Sequence, residues 1–208
     1  GEANQYYPGL YEGTSAVEPP KTPEEGYTLN EDLANRAITW VRQQKALMPD
    51  KPFFVYYAPG ATHAPHHVPK AWSDKYKGKF DGGWDKLREE TIARQKKLGV
   101  IPQTARMTPW PDDLLKRWDA LTPDEKKMFI RQANVYAAYL MYADHEIGRV
   151  IQAVDDMGKL DNTLIIYISG DNGSSAEGTV IGTPNEVATF NGADVPVADQ
   201  LKYFYDVW

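Results

Sequence analysis

A chain of 208 residues with a formal net charge of -6, 42% hydrophobic and 25% charged residues, has ordinary globular composition and enough length to bury a core, which excludes a disordered or fibrous chain. The acidic balance argues against a nucleic-acid partner, which needs clustered Lys and Arg, and no apolar run approaches the roughly 20 residues that cross a bilayer. With no cysteine, disulfides, thiolate zinc sites and a cysteine nucleophile are excluded within this chain.

Residues 1–28 are rich in Pro, Gly and Glu and read as a surface loop. They hold no apolar segment of the signal-peptide kind, and a start at Gly1 without Met leads to the expectation that the natural N-terminus lies upstream. A helix is expected from Asn30, an N-cap followed by Glu31 and Asp32. Leu33, Ala37, Ile38, Val41 and Leu47 keep a helical period until Pro49. Pro52 to Ala58, dense in aromatic and β-branched residues, predicts a buried strand that stops at Pro59-Gly60. Two prolines make His63 to Pro69 irregular. Short helices are expected over 70–76 and 84–98, after which Pro102, Pro109 and Pro111 break regularity.

Thr122, with Pro123 at the first helical position and Glu125 three residues on, is a capping-box pattern. The helix it opens is expected to run to about Met157, with Gly158 closing it. Asp161-Asn162 marks a turn, and Thr163 to Ile168 predicts a second buried strand, ending at Ser169-Gly170-Asp171-Asn172-Gly173. The remainder reads as loop with a short helix near 185–190. Alternation of helices and strands predicts an α/β layered fold with parallel strands and flanking helices. In such folds ligands gather beyond the carboxyl ends of strands, where both clusters of ionisable residues fall, 63–67 and 171–172.

Three segments could carry chemistry. Asp171 and Asn172 offer hard oxygen ligands that suit Ca²⁺ or Mg²⁺; the alternative is a tight Asn-Gly turn with no ligand. Three of the four histidines lie within Thr62-His63-Ala64-Pro65-His66-His67. They read as a metal site, which would suit zinc better than calcium, as one functional His held rigid by prolines, or as a solvated loop. Asp144-His145-Glu146 on the long helix cannot form a metal triad, because consecutive helical residues do not face together. Asp144, with Gly148 and Arg149, is expected to set packing and surface pairing.

Ser169-Gly170-Asp171-Asn172-Gly173 after an Ile-rich strand resembles the metal-binding segment of type I sulfatases. Ala58-Pro59-Gly60-Ala61-Thr62-His63-Ala64-Pro65 is similar to their His-containing segment. The stretches Tyr76 to Trp84, Arg88 to Gln95 and Asp144 to Val150 resemble bacterial arylsulfatases, and the likeness runs over nearly the whole chain in the same order.

The resemblance implies a partial alkaline-phosphatase-like sandwich, with 1–208 as the central part of a sulfatase catalytic domain, incomplete at both ends. It implies a metal-dependent sulfuric ester hydrolase acting on a small sulfate ester. Asp171 and Asn172 would be Ca²⁺ ligands (with Mg²⁺ as the alternative ion), and His63 would contact the ester and help protonate the leaving oxygen. The family nucleophile is a formylglycine made within a C/S-x-P-x-R motif, which 1–208 lacks, so the chain alone is expected to be inactive and to self-associate. The compartment of the parent is left open between bacterial periplasm and cytoplasm. Alternatives are a phosphodiesterase or phosphatase of the same superfamily, or a non-catalytic binding domain.

Overall fold

The computed structural model describes residues 4–170 and 178–203, and among them the fold is mostly helical. The one sheet among the described residues is a two-stranded antiparallel hairpin, β1 (Leu10–Glu12) with β2 (Ser15–Val17). This overturns the expected α/β sandwich with parallel strands. Residues 53–58 and 164–168 lie outside any sheet, and Phe54, Tyr56, Leu164, Ile166 and Ile168 are exposed. An apolar, β-branched run favours a pleated, half-buried surface, but a strand exists only where a neighbour completes its ladder. No such neighbour stands among the described residues. Without that sheet among the described residues, the 63–67 cluster does not follow the carboxyl end of a strand.

The hairpin falls where a loop was expected. Its strands are joined by Gly13-Thr14, with Gly13 at φ +61°. A glycine with positive φ at the first position of a two-residue loop matches the twist of the flanking strands.

The chain divides into two compact units, Gly1–Trp72 with Tyr136–Gly173, and Ser73–Val135 with Ser174–Trp208. The first is built on α1 (Leu29–Leu47) and on the later part of α4 (Pro123–Asp156). The N-cap of α1 is Thr28, not Asn30: Thr28 has extended backbone and its side chain accepts from the Glu31 N–H. Asn30 instead lies inside the first turn, buried.

Thr28, Asn35 and Arg42 hydrogen-bond Tyr142, Arg149 and Asp156 respectively, each pair 114 residues apart. A constant offset means the two helices run parallel. The step from one contact to the next is two helical turns, which keeps one stripe of each helix facing the other. Ala34, Val41, Ala138, Tyr139, Ala143, Ala153 and Val154 are buried on these helices. Leu33, Ala37 and Trp40 face elsewhere, lining with Phe54 to Ala58 an open groove of about 460 Å³. At the end of α4, Gly158 has φ +63°; its N–H reaches the Asp155 carbonyl at 2.7 Å and the Lys159 N–H the Val154 carbonyl at 3.2 Å. That pair of bonds is the glycine closure the sequence predicts.

The second unit includes α3 (Gly83–Leu98), the start of α4, α5 (Glu186–Phe190) and α6 (Val197–Gln200); the short α2 (Lys70–Ser73) precedes α3. The capping box forms as expected: Thr122 N–H donates to Glu125 Oε2 at 2.7 Å, and Glu125 N–H to Thr122 Oγ1 at 3.2 Å. Trp84 packs edge-on against Trp118 at 5.2 Å, beside Phe129 at 5.2 Å and Trp110 at 6.1 Å. Gly83, at φ +76°, lies so close to the Trp118 indole that a Cβ would stand 2.2 Å from it. Gln200 is wholly buried, donating to the carbonyls of Gly182 at 3.0 Å and Val195 at 2.9 Å. No helix among the described residues is long and apolar enough to cross a membrane.

Candidate active site around the histidine loop

Residues 60–67 form an irregular loop in the first unit. Its turns are closed by the His63 N–H to Gly60 carbonyl bond at 2.8 Å and the His67 N–H to Pro65 carbonyl bond at 2.9 Å. Thr62 Oγ1 donates to the Tyr136 hydroxyl on α4 at 3.2 Å.

The three histidines do not converge on a common point. His66 is half-buried, edge-on to Tyr136 at 5.3 Å and beside Tyr139 at 6.0 Å. Its Nε2 lies 3.2 Å from the Thr62 carbonyl. A carbonyl oxygen only accepts, so Nε2 carries the hydrogen. His67 stacks on Tyr6 at 5.1 Å, and its Nδ1 accepts the Gln5 N–H at 3.3 Å, so its proton is on Nε2. Desolvation holds both rings below the ordinary imidazole pKa of 6.5, because burial penalises the charged form.

His63 is different. It is exposed, and its Nδ1 lies 2.8 Å from the Ala64 carbonyl. Nδ1 must therefore donate, leaving Nε2 with no hydrogen-bond partner among the described residues. An exposed His63 on this loop fits both the single functional His and the solvated loop among the three readings of the cluster. Among the described residues, no group of three or more His, Asp or Glu is arranged to hold a metal ion. Asp171 and Asn172 lie outside the described residues.

Sequence reasoning missed the tyrosines. Tyr136, Tyr139 and Tyr142 recur every three residues on α4, and Tyr136 and Tyr139 frame His66. That spacing puts them along one helix face and could have signalled a packing surface.

The pairing on α4 also differs from expectation. Asp144 is exposed, whereas Glu146 is buried and forms an ion pair with Arg149, whose other terminal nitrogen donates to Asn35 Oδ1 at 2.6 Å. Glu146 and Arg149 stand three residues apart, so they are neighbours on the helix surface. Together with Thr28, Glu31, Trp72 and His145 they border a polar cleft of about 420 Å³. Burial, and then the Glu146 charge, pushes the nearby Tyr57 hydroxyl up to about 12.

The sulfatase family profile matches residues 1–197, and the chain belongs to that family. An arylsulfatase of Klebsiella aerogenes is 31% identical over 157 residues, covering 75% of this chain and 32% of that protein. A Schizosaccharomyces pombe protein named as an uncharacterized sulfatase is 42% identical over 129 residues, 62% of this chain and 23% of its own length. An arylsulfatase of Clostridium perfringens is 26% identical over 142 residues, 66% of this chain and 25% of its own. The chain thus spans about a quarter to a third of the length of these curated relatives.

Proposed function

We propose that this chain is part of an enzyme that hydrolyses sulfate esters of the aryl type, and that His63 contacts the ester and protonates its leaving oxygen. The observation that carries the reading is His63 itself: exposed, on a loop held by its neighbours, with Nδ1 committed to the Ala64 carbonyl. Family membership over 1–197 supplies the reaction class.

With Nδ1–H fixed, proton exchange with substrate falls to Nε2. In the imidazolium form Nε2–H donates to the bridging oxygen as the sulfur–oxygen bond breaks, and the neutral ring remains with its proton on Nδ1. That state needs no rearrangement of the loop, since the Ala64 contact is the same before and after.

Family members attack sulfur through a formylglycine made in a C/S-x-P-x-R motif, and residues 1–208 contain no such motif. For the metal we propose Asp171 and Asn172. A carboxylate and an amide oxygen are hard donors that fit Ca²⁺, and also Mg²⁺, but Ca²⁺ takes about 6–8 oxygens. Further ligands must come from elsewhere, so Ca²⁺ binding by the 208-residue chain should be weak in calorimetric titration.

The test is hydrolysis of an aryl sulfate by the full open reading frame that encodes this chain, and by its His63→Ala variant. The expected result is turnover that falls by about 10²–10⁴-fold in the variant. Undiminished turnover would remove His63 from the site. Hydrolysis of an aryl phosphate in preference to the sulfate would overturn the substrate class.

A further inference from the structure

His66 and His67 make no use of their metal-binding or acid–base capacity in the arrangement described above, yet they are the more deeply packed pair of the cluster. Each makes a directional bond: His66 gives its Nε2–H to the Thr62 carbonyl, and His67 takes the Gln5 N–H on Nδ1. The two bonds act on opposite sides of His63. Thr62, immediately before it, is held twice, through its carbonyl by His66 and through its hydroxyl by Tyr136. The Ala64 carbonyl, which fixes the His63 ring, lies inside the turn that the His66 bond closes.

We propose that His66 is a positioning residue for His63: its Nε2–H bond to Thr62 and its ring against Tyr136 fix the turn that sets which nitrogen of His63 is presented. This rests on the reading of His63 as the group that meets the substrate. His67, stacked on Tyr6, is a second and weaker tie to the same loop. The division of labour is chemical. The half-buried His66 ring is fixed by its Tyr136 contact and its bond to the Thr62 carbonyl, whereas a ring that exchanges a proton needs solvent and substrate access.

The role separates two properties of His66 that substitution can pull apart. His66→Gln keeps a side-chain N–H able to reach the Thr62 carbonyl and loses the ring. His66→Phe keeps a ring against Tyr136 and loses the donor. Long-range ¹H–¹⁵N spectra of the histidine-labelled 208-residue chain read each tautomer directly. In the native chain His63 should carry its hydrogen on Nδ1 and His66 on Nε2. In His66→Phe the His63 signal should move to a mixture of tautomers, and in His66→Gln it should return toward the native one. The His67 tautomer, unchanged in both variants, reports that the unit is still folded.

The same substitutions in the full open reading frame supply the functional arm. His66→Phe should lower kcat by up to about 10²-fold, the cost of misplacing a reacting group by about 1 Å, and His66→Gln should recover most of it. A His63 tautomer that is the same in His66→Phe as in the native chain overturns the positioning role, even if His63→Ala abolishes turnover. A His63 hydrogen on Nε2 in the native chain overturns it too. Undiminished turnover by His63→Ala, by contrast, removes the reading on which the role rests, whatever the tautomers show.

Discussion

Replacing Thr28 by Val keeps the shape of the side chain and removes one oxygen with two duties. That oxygen caps α1, accepting the Glu31 N–H at 3.4 Å, and it meets the Tyr142 hydroxyl at 2.6 Å in a buried contact between α1 and α4. Loss of an N-cap costs about 1 kcal/mol. Leaving the Tyr142 hydroxyl buried without a partner costs about 1–3 kcal/mol more. The sum, about 2–4 kcal/mol, corresponds to a fall in Tm of about 5–15 °C for a chain of this length. Thermal and urea unfolding followed by far-UV circular dichroism would measure it.

The decisive comparison is a cycle with Tyr142→Phe. Removing both hydroxyls leaves no orphan, so the double variant should be less destabilised than the sum of the singles, by about 1–2 kcal/mol within the range seen for contacting pairs. Additivity to within about 0.3 kcal/mol would refute the argument that these hydroxyls join the two helices. A Thr28→Val variant within about 0.5 kcal/mol of the native chain would refute the cap as well.

Two further outcomes follow from the packing. Gly83→Ala forces a Cβ into the Trp118 indole and asks an L-residue to hold φ +76°; overpacking and the left-handed backbone together should destabilise by about 2–5 kcal/mol in urea titration, and a neutral effect would mean the Trp84–Trp118 cluster is not packed as described. The second concerns pH: burial depresses the pKa of His66 and His67 below 6.5, so the unfolded chain binds protons first. Their contribution to stability is intact above about pH 6.5, is lost as pH falls from that value through the depressed folded values, and then levels off. Denaturation curves at about pH 7.5 and about pH 5.5 should show this loss, and the doubly substituted His66→Gln/His67→Gln chain should show a smaller one; equal losses in the two chains would contradict the assignment.

Punctuation was the most legible part of the sequence. Thr122 with Glu125 gave the reciprocal cap, and Gly158 the left-handed closure, because those devices are local and need no distant partner. Thr28 was missed for the same reason that Asn30 was chosen. Both are capping residues; the Thr-x-x-Glu spacing from Thr28 to Glu31 was the local signal for the first, and only the Thr28 bond to Tyr142 on α4 lies beyond any local pattern. The apolar runs at 53–58 and 164–168 state a preference that only a neighbouring strand can satisfy, and no window of sequence shows whether that neighbour exists. At the site, the crowding of three histidines was visible, but their division was not. It depends on Gln5 and Tyr6 at one end of the unit and Tyr136 and Tyr139 at the other, which meet the loop only after folding.

The parallel alignment of α1 and α4 bears on how the protein is made. Helices that run side by side in the same direction cannot be joined by a short turn, and each of the three hydrogen bonds between this pair closes a span of 114 residues. The entropy of that closure must be met before any of the contacts can repay it, so this unit should fold slowly for a helical protein. During synthesis at about 5–20 residues per second, α1 waits roughly 6–23 s after leaving the ribosome before its partner stripe on α4 exists. Through that interval Ala34 and Val41, buried in the finished unit, face solvent, and the nascent helix is a surface that chaperones can hold until α4 arrives.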